Sequence, residues 1–131
     1  MIKPIMKSEF FLRLPSEDAG PDDAATGQDL LDTLHEHERE CVGLAANMIG
    51  VRKRIICVKD GNRTLLMYNP QILEQVNAYQ TSEGCLSLTG ERPCTRYRRI
   101  KVEYLDENFV HRIKNFSGYT AEIIQHDIDH C

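Results

Sequence analysis

The chain has 131 residues, 41% of them apolar and 27% charged, with a net charge of −4. A chain of that size buries a core without disulfide staples, and one domain over residues 1–131 is expected. The acidic balance argues against specific nucleic-acid binding through phosphate contacts, and no stretch approaches the roughly 20 apolar residues of a membrane helix.

The start, "MIKPIMKSEFFLRLPSEDA", is interrupted by Lys7, Glu9 and Arg13 and lacks the apolar run of a signal peptide. A cytoplasmic location is therefore expected. "SEDAGPDDAATGQ" (16–28) reads as a loop entering a helix. Leu30, Leu31 and Leu34 then form a helical stripe running toward Cys41, with Gly43 just past its end. "CVGLAANMIG" (41–50) is compact and apolar. Its small residues allow close approach to a ligand or to another strand, and plain helix-to-strand packing accounts for it equally well.

"VRKRIICVKD" (51–60) reads as a strand, "DGN" as a turn, and "RTLLMYNP" (63–70) as the hairpin partner, stopped by Pro70. The first half of "ILEQVNAYQTSEGCLSL" (72–88) is read as strand. "TRYRRIKVEYLD" (95–106) alternates Ile100, Val102 and Tyr104 with Arg99, Lys101 and Glu103, the pattern of a half-buried strand. "ENF" turns into a second hairpin arm, "FVHRIKNF", and Gly118 opens a terminal helix, "YTAEIIQHDIDHC". Strands followed by one terminal helix predict an α+β fold.

Positions four apart on a helix share a face, so His126 and His130 can aim two imidazoles at one point, as a divalent metal requires. Asp127, beside the first, is placed to orient a water. A tetrahedral site needs a third ligand. Cys85 is the best candidate, because Gly84 allows an irregular backbone next to the thiol. The bland alternative is a small buried thiol, the reading given to Cys41, Cys57 and Cys94. An odd count of five scattered cysteines does not make a disulfide framework. His35, His37 and His111 are expected to be solvated, and Asp129 to be either a solvated acid or a group steering an imidazole.

Three segments together resemble peptide deformylase. "GLAANM" (43–48) is similar to the family's first motif, Gly-x-Gly-x-Ala-Ala-x-Gln; "EGCLS" (83–87) matches the second; "QHDIDH" (125–130) resembles the third, usually Gln-His-Glu-x-x-His. The resemblance implies a peptide deformylase-like fold, with antiparallel sheets around a C-terminal metal-binding helix and an N-terminal helix. It implies metal-dependent removal of the N-formyl group from the initiator methionine of nascent bacterial polypeptides. The ion, ferrous iron in the cell and often zinc or nickel in preparations, would be held by Cys85, His126 and His130. The partner implied is an N-formyl-methionyl peptide, with ribosome-associated nascent chains as its source and no membrane. The oxyanion would be stabilised by the ion, the Leu86 N–H and a first-motif Gln, and the third-motif acid would shuttle the proton. Val42, Gly43, Leu44 and Ile123 would line the methionine pocket. Gly43 and Gly84 would let the peptide lie as an added strand.

Two positions depart from that pattern. Met48 stands where the Gln belongs, with Asn47 at the variable site, and a thioether cannot donate to an oxyanion. Losing one such donor costs on the order of 100- to 1000-fold in rate. Asp127 replaces Glu, drawing the carboxylate back by roughly 1 Å, a displacement that can cost about 100-fold. Reduced activity is expected, or alternatively a silent paralogue that binds metal and formyl-peptides or a protein partner. Family members generally continue beyond the third motif, and metal binding would hold the helix end around His130. A structural zinc site with Cys131 as fourth ligand is the remaining reading.

Overall fold

A computed structural model describes residues 1–85 and 88–130, and of residues 85, 88 and 89 the backbone alone. Among the described residues, three α-helices accompany one antiparallel sheet: α1 (Glu9–Leu12), α2 (Ala24–Glu36), β1 (Gly43–Ala45), β2 (Ile55–Asp60), β3 (Arg63–Cys85), β4 (Leu88–Leu105), β5 (His111–Ser117) and α3 (Gly118–His130). The sheet order is β1-β2-β3-β4-β5, every strand beside its chain neighbour. No described helix is long and apolar enough to cross a membrane.

β3 organises the sheet. Its first part pairs with β2, from Asp60↔Arg63 to Ile55↔Tyr68, and from Tyr68 onward it pairs with β4, from Tyr68↔Leu105 to Cys85↔Leu88. Pro70 does not end the strand, as its missing N–H predicts. The register shifts between Tyr68 and Gln71, so the proline sits in a bulge where no ladder bond is lost. Asn69 takes a positive φ of 54° in that bulge. Its side chain accepts from Ala19 N–H at 2.7 Å and donates to Ala19 C=O at 2.9 Å, tying the N-terminal segment to the bend.

Of the predicted stripe Leu30 and Leu34 are buried and Leu31 half-buried, and α2 ends at Glu36, before Cys41. "CVGLAANMIG" resolves into β1 and a 3-10 turn over Ala46–Ile49, closed by Gly50 at φ 86°. β1 pairs with β2 through Gly43↔Val58, Leu44↔Cys57 and Ala45↔Ile56. The short α1 escaped the sequence reading; Ser8 caps it, its Oγ accepting from Phe11 N–H at 3.2 Å.

Ile100, Val102 and Tyr104 face inward from β4, and Ala121, Ile123 and Ile124 face the same core from α3. Gly118, at φ 62°, makes the sharp passage from β5 into α3. The helix packs against β1, β2, β4 and β5.

Candidate active site

Gln125 sets the height of α3. It is buried, accepts from Tyr97 N–H at 2.8 Å and donates to Tyr97 C=O at 2.8 Å and Ala121 C=O at 2.9 Å. A helical side chain thus completes backbone pairing on β4. With the helix so fixed, His126 and His130 project from one face. Their Nε2 atoms lie 3.3 Å apart and their ring centroids 5.0 Å apart.

The far nitrogen of His126 is held. Its Nδ1 lies 2.8 Å from Glu83 Oε1, and a carboxylate there fixes Nδ1 as the donor and turns the Nε2 lone pair toward His130. Glu83 is itself gripped by Arg96, with Nε at 3.1 and 3.0 Å from its two oxygens and Nη2 at 2.8 Å from Oε1. Arg96 Nη1 reaches Asp129 Oδ2 at 2.6 Å. Burial alone would raise the Glu83 carboxyl, but hydrogen bonds from Arg96, Glu122 and His126 outweigh it and hold the group at about 2. Sharing a hydrogen bond with Glu83, and partial burial, push Glu122 the other way, toward its protonated form. Asp129 touches the guanidinium of Arg96; its influence on the imidazoles runs through Arg96 and Glu83.

A cavity of about 550 Å³ opens beside His126. Val42, Gly43, Met48, Gly84, Ile123 and Asp127 all lie on its wall. Leu44 does not. Its side chain is fully buried in the core, because alternation along β1 sends it to the face opposite Gly43. Asp127 is 1% exposed. It sits so close to Gly43 that a Cβ on that glycine would overlap Asp127 Oδ2 and come within 2.7 Å of Ile123 Cγ2. Its charge adds to burial in pushing the Cys57 thiol well up, so Cys57 is an inert core residue.

Met48 is buried at the cavity wall, its sulfur 3.4 Å from the Ala45 N–H. Asn47 points away from the cavity. Its Nδ2 donates to the carbonyl of His130, one of the last helical carbonyls that lack an internal partner, and so caps α3. The side chain of Cys85 and the whole of Leu86 lie outside the described residues, as does Cys131. Among the described residues no three potential ligand side chains converge.

The imidazole pair nonetheless fits a metal. Two nitrogens each about 2.0–2.1 Å from a tetrahedral ion stand about 3.4 Å apart, close to the 3.3 Å found here. β3 also brings the Cys85 backbone to the strand end that carries Glu83. Sequence reasoning missed Glu83, Arg96, Glu122 and the capping role of Asn47. Glu83 inside the EGCLS segment and an Asn inside an apolar run were the available signals. His35 and His111 stand beside Glu38 and Glu103 at 3.2 and 3.0 Å, off the cavity lining, and His37 lies 2.7 Å from Glu40, which lines it.

The polypeptide deformylase family model matches residues 6–131. The peptide deformylase of Clostridium beijerinckii is 51% identical over 130 residues, 99% of this chain and 96% of that protein. The peptide deformylase 1 of Clostridium perfringens is 38% identical over 79% of this chain and 71% of its own length. Among solved structures, the peptide deformylase of Thermotoga maritima superposes with a TM-score of 0.89 at 27% identity, covering 99% of this chain and 91% of that one. A class I type b peptide deformylase from Acinetobacter baumannii bound to Met-Ala-Ser gives 0.86 at 29% identity over 99% and 94%. A family match along nearly the whole chain, half identity to one relative and a shared fold leave one assignment: this chain belongs to the polypeptide deformylases, metallohydrolases that deformylate nascent peptides.

Proposed function

We propose that the chain removes the N-formyl group from formyl-methionyl ends of nascent polypeptides, at a rate lowered by Met48 and Asp127. The single observation that supports the site is the 3.3 Å spacing of the two Nε2 atoms, with His126 oriented by Glu83. Cys85, His126 and His130 would hold one divalent metal, ferrous iron or else zinc or nickel, which when bound supplies Lewis acidity and an acidified water.

The chain's own residues do the rest. Val42 and Ile123 give the cavity an apolar wall for the methionine side chain, and Gly43 and Gly84 allow the peptide backbone close. The Acinetobacter baumannii relative is bound to Met-Ala-Ser, which supports a peptide in this cavity. Attack on the formyl carbon develops negative charge on its oxygen. The Leu86 N–H is the proposed donor to that oxygen. Met48 has no proton to add. Asp127 is the proposed carrier of the proton to the leaving amine, working from a position against Gly43. Nascent chains on the ribosome are the natural source of the substrate.

Met48 also favours a second reading, a catalytically silent paralogue that still binds metal and peptide. Hydrolysis of formyl-Met-Ala-Ser by the iron- or nickel-loaded protein decides between them. The active reading expects turnover clearly above that of Cys85→Ala. The pair Met48→Gln with Asp127→Glu should then raise kcat by about 100-fold or more. Activity only in the double variant establishes the silent paralogue, and no activity in either overturns both.

A further inference from the structure

The cavity wall carries more charge than a methionine side chain calls for. Glu40, Glu83, Glu91, Glu122 and Asp127 all line it, and no Lys or Arg does so among the described residues. Arg96 compensates Glu83, and Glu122 shares its hydrogen bond with Glu83. Two carboxylates remain at the mouth. Glu40 comes from the segment between α2 and β1, and Glu91 from β4; both are exposed. Glu91 pairs with no cation among the described residues, and Glu40 has only His37, at 2.7 Å. Arg39 and Lys59, the latter paired with Glu38 at 3.0 Å, line the recess beyond Val42 and Ile123, while Arg92, paired with Glu9 at 3.0 Å, and Arg96 line the recess beyond Glu83 and His126. A cleft lined by one sign of charge focuses its field on whatever enters.

A peptide whose formyl-methionine is held near His126 must run its following residues out through this mouth. We infer that Glu40 and Glu91 make the site selective for formyl-peptides with basic residues directly after the methionine. The inference rests on the deformylase reading of the same cavity, but concerns which peptides that cavity accepts. Each exposed charge pair contributes about 2- to 5-fold in affinity, so two together give a preference of about tenfold over an acidic peptide at low salt.

Peptide binding tests this apart from turnover. Dissociation constants of Met-Lys-Lys, Met-Ala-Ser and Met-Glu-Glu are measured calorimetrically on the nickel-loaded protein and on Glu40→Gln/Glu91→Gln. The wild type should bind Met-Lys-Lys about tenfold more tightly than Met-Glu-Glu. The double variant should shrink that ratio to about twofold, and molar salt should do the same to the wild type, which covers the case of a variant that folds poorly. Equal binding of the two peptides by the wild type, no peptide binding at all, or a preference that survives both the double variant and salt overturns the inference. A preference seen without hydrolysis of any formyl-peptide leaves this inference standing and removes the catalytic reading. Hydrolysis without a preference does the reverse.

Discussion

Gly43 carries a hydrogen where any other residue would drive a methyl into the Asp127 carboxylate and the Ile123 side chain. Its value lies in the space it leaves, since its φ is not in the left-handed region. Gly43→Ala should therefore act on Asp127. Relieving the overlap by moving the carboxylate about 1 Å should lower kcat/KM by about 100-fold. The strain should cost about 1–3 kcal/mol in stability. Steady-state kinetics on formyl-Met-Ala-Ser and urea unfolding of the same variant check both. Unchanged kinetics in a destabilised variant would show that Asp127 is not held by this contact. Asp127 was legible as an acid beside a candidate metal-ligand histidine. Its packing against Gly43 was not, because the two residues lie on different elements far apart in the chain.

At the scale of the element, α3 carries both imidazoles, and three contacts fix it in place. Gln125 joins it to Tyr97 on β4, Asn47 caps its last turn, and Arg96 ties Asp129 and Glu83 together across the strand ends. Gln125→Leu keeps the bulk but leaves the part-buried Tyr97 N–H and C=O without their side-chain partner, at up to about 1–3 kcal/mol for each such group. The expected loss is about 2–4 kcal/mol, read from chemical denaturation, together with weaker metal binding as the imidazoles lose register with Glu83. A neutral result would mean that helix packing alone sets the height of α3. The Gln of "QHDIDH" thus has a structural part beside two chemical ones, and the spacing of the motif cannot separate the two kinds.

For the whole molecule, the proposed metal would bridge the end of β3 to the last turns of α3, two regions distant in sequence. An ion that binds only the folded state stabilises it by about 2.7 kcal/mol at a hundredfold excess over Kd. For a domain of this size that is a rise in Tm of roughly 10 °C. Thermal unfolding of nickel-loaded protein against chelator-treated protein should show this gap, and His126→Ala should abolish it. An equal Tm with and without the ion would argue against a site built from these residues.

The sequence by itself determined the alternating strands, the leucine stripe of α2, the terminal helix and the family, because hydrophobic period and motif spacing are local properties of the chain. It also placed the two histidines on one helical face, since 3.6 residues per turn requires it. Only the tertiary structure decided that β3 continues through Pro70, because the bulge there depends on pairing with two different strands. Only the fold could bring Glu83 and Arg96 behind His126, turn Asn47 into a cap for α3, send Leu44 into the core and gather Glu40 and Glu91 at one cavity mouth. Each of these results from residues far apart in the chain meeting in space, and no local pattern records such a meeting.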